Sequence, residues 1–131
     1  MGQDYTIGDL SREFQVTTRA LRFYEDQGLL KPRREGLNRI YSARDRVHLK
    51  MILRGKRLGF SLRETGELLD LYDAPNGELS QLRRFLSKVE EHRRDLRRQR
   101  DDVDQVLDEM DALEQQCRKL LEERSARKGA A

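Results

Sequence analysis

The chain has 131 residues, 36% of them hydrophobic and 39% charged, with 27 Lys and Arg against 24 Asp and Glu. That balance excludes one large globular core and any membrane span, and it suits long, solvent-exposed helices. A single cysteine, Cys117, excludes an intrachain disulfide framework and points to a reducing, cytoplasmic compartment, and nothing at the N-terminus resembles a signal peptide.

The net charge of +3 is unevenly spread. From Arg12 to Arg57 thirteen Lys and Arg stand against five Asp and Glu, a local +8, whereas from Gly77 onward there are thirteen of each sign. A basic N-terminal region on an otherwise neutral chain is the footprint of a nucleic-acid binder.

In chain order, Thr6 followed by Asp9 predicts a capped helix over Ile7–Phe14, and Gln15-Val16 a tight turn. A second helix starts near Thr17 or Thr18 and stops at Gly28. Two short helices joined by a brief turn in a basic region suggest a helix-turn-helix. In "LLKPRREGLNRIYS", Pro32 blocks a helix, Glu35-Gly36 and Asn38 favour a turn, and Ile40-Tyr41 prefer a strand. A two-stranded hairpin, or wing, fits best. Ser42 with Asp45 then caps a third helix ending at Gly59, and Ser61 with Glu64 caps a fourth, stopped by "DAPNG".

From Glu78 to about Arg124 no Gly or Pro interrupts the chain. One column repeats every seven residues: Leu82, Val89, Leu96, Val103, Met110, Cys117. Companion columns supply Phe85, Leu86, Val106, Leu107, Leu113, Leu120 and Leu121, with His92, Arg93, Gln99 and Arg100 at a polar centre. This is a coiled-coil heptad. A helix ~70 Å long at ~1.5 Å per residue cannot bury that seam on so small a body, so it needs a partner, most simply another copy of itself. Residues 83–100 carry eight Arg and Lys and three Asp and Glu, and residues 101–114 carry seven Asp and Glu and no cation. Parallel copies would set like halves together. An antiparallel homodimer instead lays each basic half on the partner's acidic half, crossing near Arg100; the alternative, a helix that folds back on itself, is disfavoured because no turn residues mark a break. The expected organisation is therefore a DNA-binding domain over 1–73, a linker at 74–77, a dimerisation helix over 78–124 and a flexible tail over 125–131.

The segments "YTIGDLSREFQVTTRALRFYEDQGLL", the "RIYS" end of the wing and "LRGKRLGFSLRETGELLDLYD" closely resemble the MerR family of bacterial transcription regulators. The resemblance covers roughly residues 4–73 and is followed by a dimerising helix of the expected kind. Within the family, "REGLNRIYS" and "LRGKRLGFSL" look most like the LiuR-type regulators of branched-chain amino acid and acyl-CoA catabolism.

The resemblance implies a mainly α fold, a winged helix-turn-helix followed by a long antiparallel coiled-coil helix. It implies promoter DNA, a second copy and RNA polymerase as partners, with a small-molecule effector such as an acyl-CoA. The second helix would be the recognition helix, packing inward through Ala20, Leu21 and Phe23. Thr18, Arg19 and Arg22 would face base edges and phosphates, with Tyr24 giving a phosphate hydrogen bond. In the wing, Arg33, Arg34, Arg39 and Tyr41 would grip phosphates, as would Lys56 and Arg57 from the end of the third helix. The family usually has an aromatic residue before the wing arginine, where this chain has Asn38. The dimer seam would comprise Leu82, Phe85, Leu86, Val89, Leu96, Val103, Leu107, Met110, Leu113, Cys117 and Leu120.

Metal-sensing relatives carry a cysteine loop after the dimer helix, whereas Cys117 stands alone on the heptad column and reads as seam packing. No cofactor is expected. His48 and His92 are isolated and read as surface or interface residues. The large effector domain of drug-sensing relatives is not expected either, since about seven residues follow the long helix. No nucleophile–base pair, carboxylate dyad or phosphate-cradling glycine loop is visible, so the chain does not read as an enzyme. The competing reading is a coiled-coil scaffold whose basic head meets a protein or a membrane. Capped helices with arginines among aromatics count against it, because a membrane-surface helix shows a strong apolar face.

Overall fold

The computed structural model describes residues 3–74 and 79–130. Its elements run β1 (Tyr5–Thr6), α1 (Ile7–Phe14), α2 (Thr18–Asp26), β2 (Arg33–Glu35), β3 (Asn38–Tyr41), α3 (Ala43–Leu58), α4 (Leu62–Asp73) and α5 (Leu79–Ala130). The chain divides into two units, Met1–Lys88 and Val89–Ala131. No helix among the described residues is long and apolar enough to cross a membrane.

Local chemistry sets the helix boundaries. Capping boxes start α1 at Thr6/Asp9, α3 at Ser42/Asp45 and α4 at Ser61/Glu64, each satisfying two otherwise orphaned backbone donors. The turn between α1 and α2 is a left-handed Gln15, held by the Val16 N–H on the Ser11 carbonyl and by Ser11 Oγ on the Val16 carbonyl at 2.6 Å. Thr17 caps α2 through the Ala20 N–H, and α2 ends at Asp26, two residues before the left-handed Gly28. Gly59, at φ 85°, closes α3 while the Phe60 N–H returns to the Gly55 carbonyl.

The wing has one strand more than the sequence suggests. β2 and β3 form the hairpin, with Arg34 opposite Arg39, and β1 adds antiparallel to the other edge of β3, pairing Tyr5 with Tyr41. β3 is thereby the central strand. Asn38, expected in the turn, is its first residue, and the loop is Gly36-Leu37. The core gathers Leu10, Leu21, Tyr24, Leu30, Tyr41, Leu49, Ile52 and Leu69. α3 and α4 cross closely where Gly55 meets Thr65.

α5 departs from expectation at its C-terminal end. The helix runs on through Ala130 where a flexible tail from residue 125 was expected. Ala126, Arg127 and Lys128 are good helix formers, and the two cations in the last turn complement the helix dipole. Its expected start at Glu78 and the linker residues Pro75, Asn76 and Gly77 lie outside the described residues. The first unit also reaches past the expected boundary, to Lys88, and within it the ring of Phe85 stacks on Phe60 with centroids 5.6 Å apart. Phe85 is thus partly covered by its own chain. Val89 is half-buried, and the remaining apolar heptad positions stand open, with Leu96 56% and Met110 61% exposed, and Cys117 is exposed as well.

Candidate nucleic-acid interface

α2 turns two faces outward and inward as its length of nine residues requires. Leu21 and Tyr24, three apart, enter the core with Ala20 beside them, and Arg19 and Arg22 lie on the exposed side. Among the described residues neither arginine makes an ion pair. Thr18 is half-buried at the start of the helix. Lys56 and Arg57, exposed in the last turn of α3, are also without an ion-pair partner among the described residues. Arg19 and Lys56 border one groove of about 470 Å³, walled by Phe23, Phe60 and Leu62. The end of α3 and the exposed face of α2 therefore offer cations to one surface.

Two aromatic assignments are corrected. Tyr24 is 5% exposed and Phe23 46%, the reverse of a Phe23 packed inward and a Tyr24 reaching phosphate. The helical period would have shown this: Tyr24 shares the face of Leu21 at i+3, and Phe23 at i+2 does not. Tyr41 is likewise buried instead of presented to DNA, with its hydroxyl lacking a hydrogen-bond partner among the described residues. Burial chiefly, with the nearby Glu25 charge, raises its pKa. Its cover comes partly from β1, which no sequence signal announced.

The wing arginines sit where expected but none is unpaired. Arg33 makes a two-pronged contact with Asp4, at 3.2 and 2.8 Å, and also meets Glu35. Those hydrogen bonds raise its pKa above the ordinary arginine value and lower that of Asp4. Arg39 Nε donates to Glu25 Oε2 at 2.6 Å, and Arg34 donates to Glu25 Oε1 at 3.1 Å. Burial pushes the Glu25 carboxyl up, but Arg39 and Arg34 outweigh it and hold it below its usual value, so it is ionised at neutral pH. Glu25, at the end of α2, is thus the link between helix and wing. Sequence reasoning passed over it because it looks like one more solvated acid after an aromatic pair.

A second polar cluster braces the domain from behind. His48, expected at a surface or interface, is buried, and its Nε2 lies 2.9 Å from Asp73 Oδ1. Arg44 donates to the other Asp73 oxygen at 2.6 Å. The Arg44 hydrogen bond lowers the Asp73 pKa most, burial opposes it, and His48 adds to the lowering. Arg46 pairs with Glu13 and lies over the rings of Phe14 and Tyr5, fixing α3 against α1 and β1.

Comparison with known proteins bears on what this surface does. A family described as "MerR HTH family regulatory protein" matches residues 5–71, and one described as "MerR, DNA binding" matches residues 46–113. The HTH-type transcriptional regulator CueR of Salmonella typhimurium is 31% identical over 114 residues, covering 85% of this chain and 80% of that protein. A MerR family transcriptional regulator from Bacillus cereus shares 32% identity with a TM-score of 0.63, over 83% of this chain and 78% of its own. HiNmlR, a MerR family regulator solved bound to promoter DNA, has a similar fold at 23% identity and a TM-score of 0.59, over 81% of this chain and 80% of its own.

Proposed function

The chain belongs to the MerR family of helix-turn-helix regulators and is a DNA-binding transcriptional regulator, not an enzyme; on that premise we propose that it acts as a homodimer on a near-palindromic promoter operator. The observation that carries this reading is the pair of exposed arginines on α2, Arg19 and Arg22, without ion pairs among the described residues, beside Lys56 and Arg57. An Arg fork reads guanine edges, and cations at the rim hold phosphates and set the register. The wing, through Arg33, Arg34 and Arg39, grips the flanking backbone. Thr18 at the head of α2 stands where a hydroxyl meets a phosphate. The open heptad face of α5 supports the second copy, antiparallel for the charge reasons given above.

Two heads fixed at a set separation spread phosphate contacts over both ends of a site, and the deformation this imposes acts on promoter DNA with an over-long spacer, in concert with RNA polymerase. The likeness to LiuR-type regulators supports genes of branched-chain amino acid and acyl-CoA catabolism as targets and an acyl-CoA-like effector. Calorimetric titration of acyl-CoAs into the protein–DNA complex tests the effector, with heats no larger than into buffer arguing against it.

The test of DNA reading separates two kinds of contact. Arg19→Ala or Arg22→Ala costs ~1–3 kcal/mol at the operator and relaxes base preference, whereas Lys56→Ala or Arg57→Ala weakens all sequences and lowers the salt slope by about 1. Fluorescence anisotropy on operator and random duplexes over a salt series reads both. Variants of α2 that bind both duplexes like the parent would show that α2 is not the recognition helix. A promoter whose spacer is shortened to the usual length loses its dependence on the protein if distortion is the mechanism, and retained dependence in transcription assays argues for recruitment.

A further inference from the structure

Arg34 and Arg39 face each other directly across the β2–β3 ladder. Like charges at that position repel, so a counter-charge between them stabilises the wing. Glu25 does so, one oxygen to each guanidinium, from the last turn of the helix that also carries Arg19 and Arg22. The contact with Arg39 is the shorter and the better shielded, with both side chains about one-fifth exposed, whereas Arg34 is about half exposed. Any phosphate that engages these arginines must compete with a carboxylate already in place. By contrast Arg19, Arg22, Lys56 and Arg57 meet DNA without giving up an ion pair.

From this arrangement we propose that Glu25 limits the affinity of the wing for DNA, withholding Arg34 and Arg39 from the backbone of non-cognate DNA and giving them up, at the cost of both ion pairs, in the operator complex. The inference rests on the DNA-binding reading above and adds a role for a residue that contacts no base. On random duplex the recognition helix stands off, phosphates lie too far from the wing to displace the carboxylate, and both arginines stay on Glu25. On the operator, base contacts from Arg19 and Arg22 draw the backbone in, and two phosphates replace one carboxylate. Glu25 therefore suppresses the sequence-independent term and also lowers operator affinity, by the ion pairs given up there.

The test compares the parent with Glu25→Gln on two duplexes of equal length, one of random sequence and one operator selected by the parent from a random pool. Each is titrated by anisotropy across a salt series, after thermal melts confirm that both proteins fold. Glu25→Gln is expected to bind random DNA about three- to tenfold tighter at low salt, with a slope steeper by about 1–2, since each new phosphate contact adds ~0.9. Operator affinity rises by at least as much, because the parent gives up the same ion pairs there and the variant does not; an operator affinity unchanged by the substitution overturns the proposal. In an Arg34→Ala/Arg39→Ala background the same substitution has no effect on random DNA, which a purely structural role would not produce. Glu25→Asp keeps the charge but retracts it from Arg39, and it falls between the two; it carries the test if the Gln variant is unfolded. Equal weakening of both duplexes, or an unchanged slope on random DNA, overturns the role of Glu25 alone. A parent with no salt-dependent duplex binding overturns the DNA-binding reading as well.

Discussion

Tyrosine in a basic wing can serve with its hydroxyl on a phosphate or with its ring in the core, and at Tyr41 burial decides for the ring. Tyr41→Phe removes a buried hydroxyl that has no hydrogen-bond partner among the described residues. It should leave operator affinity within about twofold and stability equal or up to ~1 kcal/mol higher, because an unsatisfied buried group is removed at no cost in shape. Urea melts and anisotropy check both, and a tenfold loss of affinity would return the hydroxyl to the DNA. Asp73 supplies a pH signature at the same scale. Its carboxyl pKa is lowered in the folded state, chiefly by Arg44, so its contribution is present above the unfolded value of about 4 and is lost as pH falls below it. Asp73→Asn should therefore destabilise at pH 7 and match the parent in urea melts near pH 2, and an equal gap at both pH values would place its effect in packing. Polar contacts that bridge distant segments, such as Glu25 to the wing and His48 to Asp73, were not legible in the sequence, since no local pattern pairs residues 14 or 25 apart.

Elements were far more legible, because their ends are written in single residues. Three capping boxes and the left-handed Gly59 mark α1, α3 and α4 in the sequence itself, and Thr17 does nearly as well for α2. β1 was not legible: two residues give no period, and its pairing with β3 depends on the fold bringing Tyr5 to Tyr41. The close crossing of α3 and α4 was also hidden, although its cause is one glycine. A Cβ at Gly55 would lie 2.6 Å from Thr65 Oγ1 and 3.4 Å from its Cγ2. Both branches of the threonine face the glycine, and a β-branched side chain in a helix has few rotamers to escape into. Gly55→Ala gains helix propensity of ~1 kcal/mol and suffers overpacking that the 2.6 Å contact puts at the upper end of ~1–3 kcal/mol, so a net loss approaching ~2 kcal/mol is expected. Gly55→Ala/Thr65→Ala should recover most of it. Thermal or urea melts of the single and double variants decide the matter, and a Gly55→Ala protein as stable as the parent would mean that the helices part easily there.

For the whole molecule, the decisive feature is the apolar column of α5 that stands largely open along one chain, from Leu82 through Leu96 and Val103 to Met110 and Cys117. Burying each such side chain is worth about 1.5–3 kcal/mol, so a second copy laid along the column gains far more than an exposed helix holds by itself. In the proposed homodimer, charge selects the direction. The basic stretch over 83–100 and the acidic stretch over 101–114 repel their own copies in parallel and attract across an antiparallel pair crossing near Arg100. That register places Leu82 of one protomer beside Cys117 of its partner. It also sets the two Cys117 residues 17 positions to either side of the crossover, about 50 Å apart at ~1.5 Å per residue, whereas a disulfide needs Cα atoms under ~7 Å apart. Oxidation should therefore leave the native dimer uncrosslinked, although Cys117 is exposed along the single chain. Leu82→Cys, in contrast, should crosslink readily to the partner's Cys117. Light scattering first establishes the dimer, and non-reducing gels of the parent and the variant at low concentration then read the register. A parallel dimer reverses both results, because each Cys117 would face its own copy across the seam. Ready crosslinking of the unmodified protein within an isolated dimer would exclude the antiparallel arrangement, and with it the separation of the two DNA-reading heads on which a distorted operator depends.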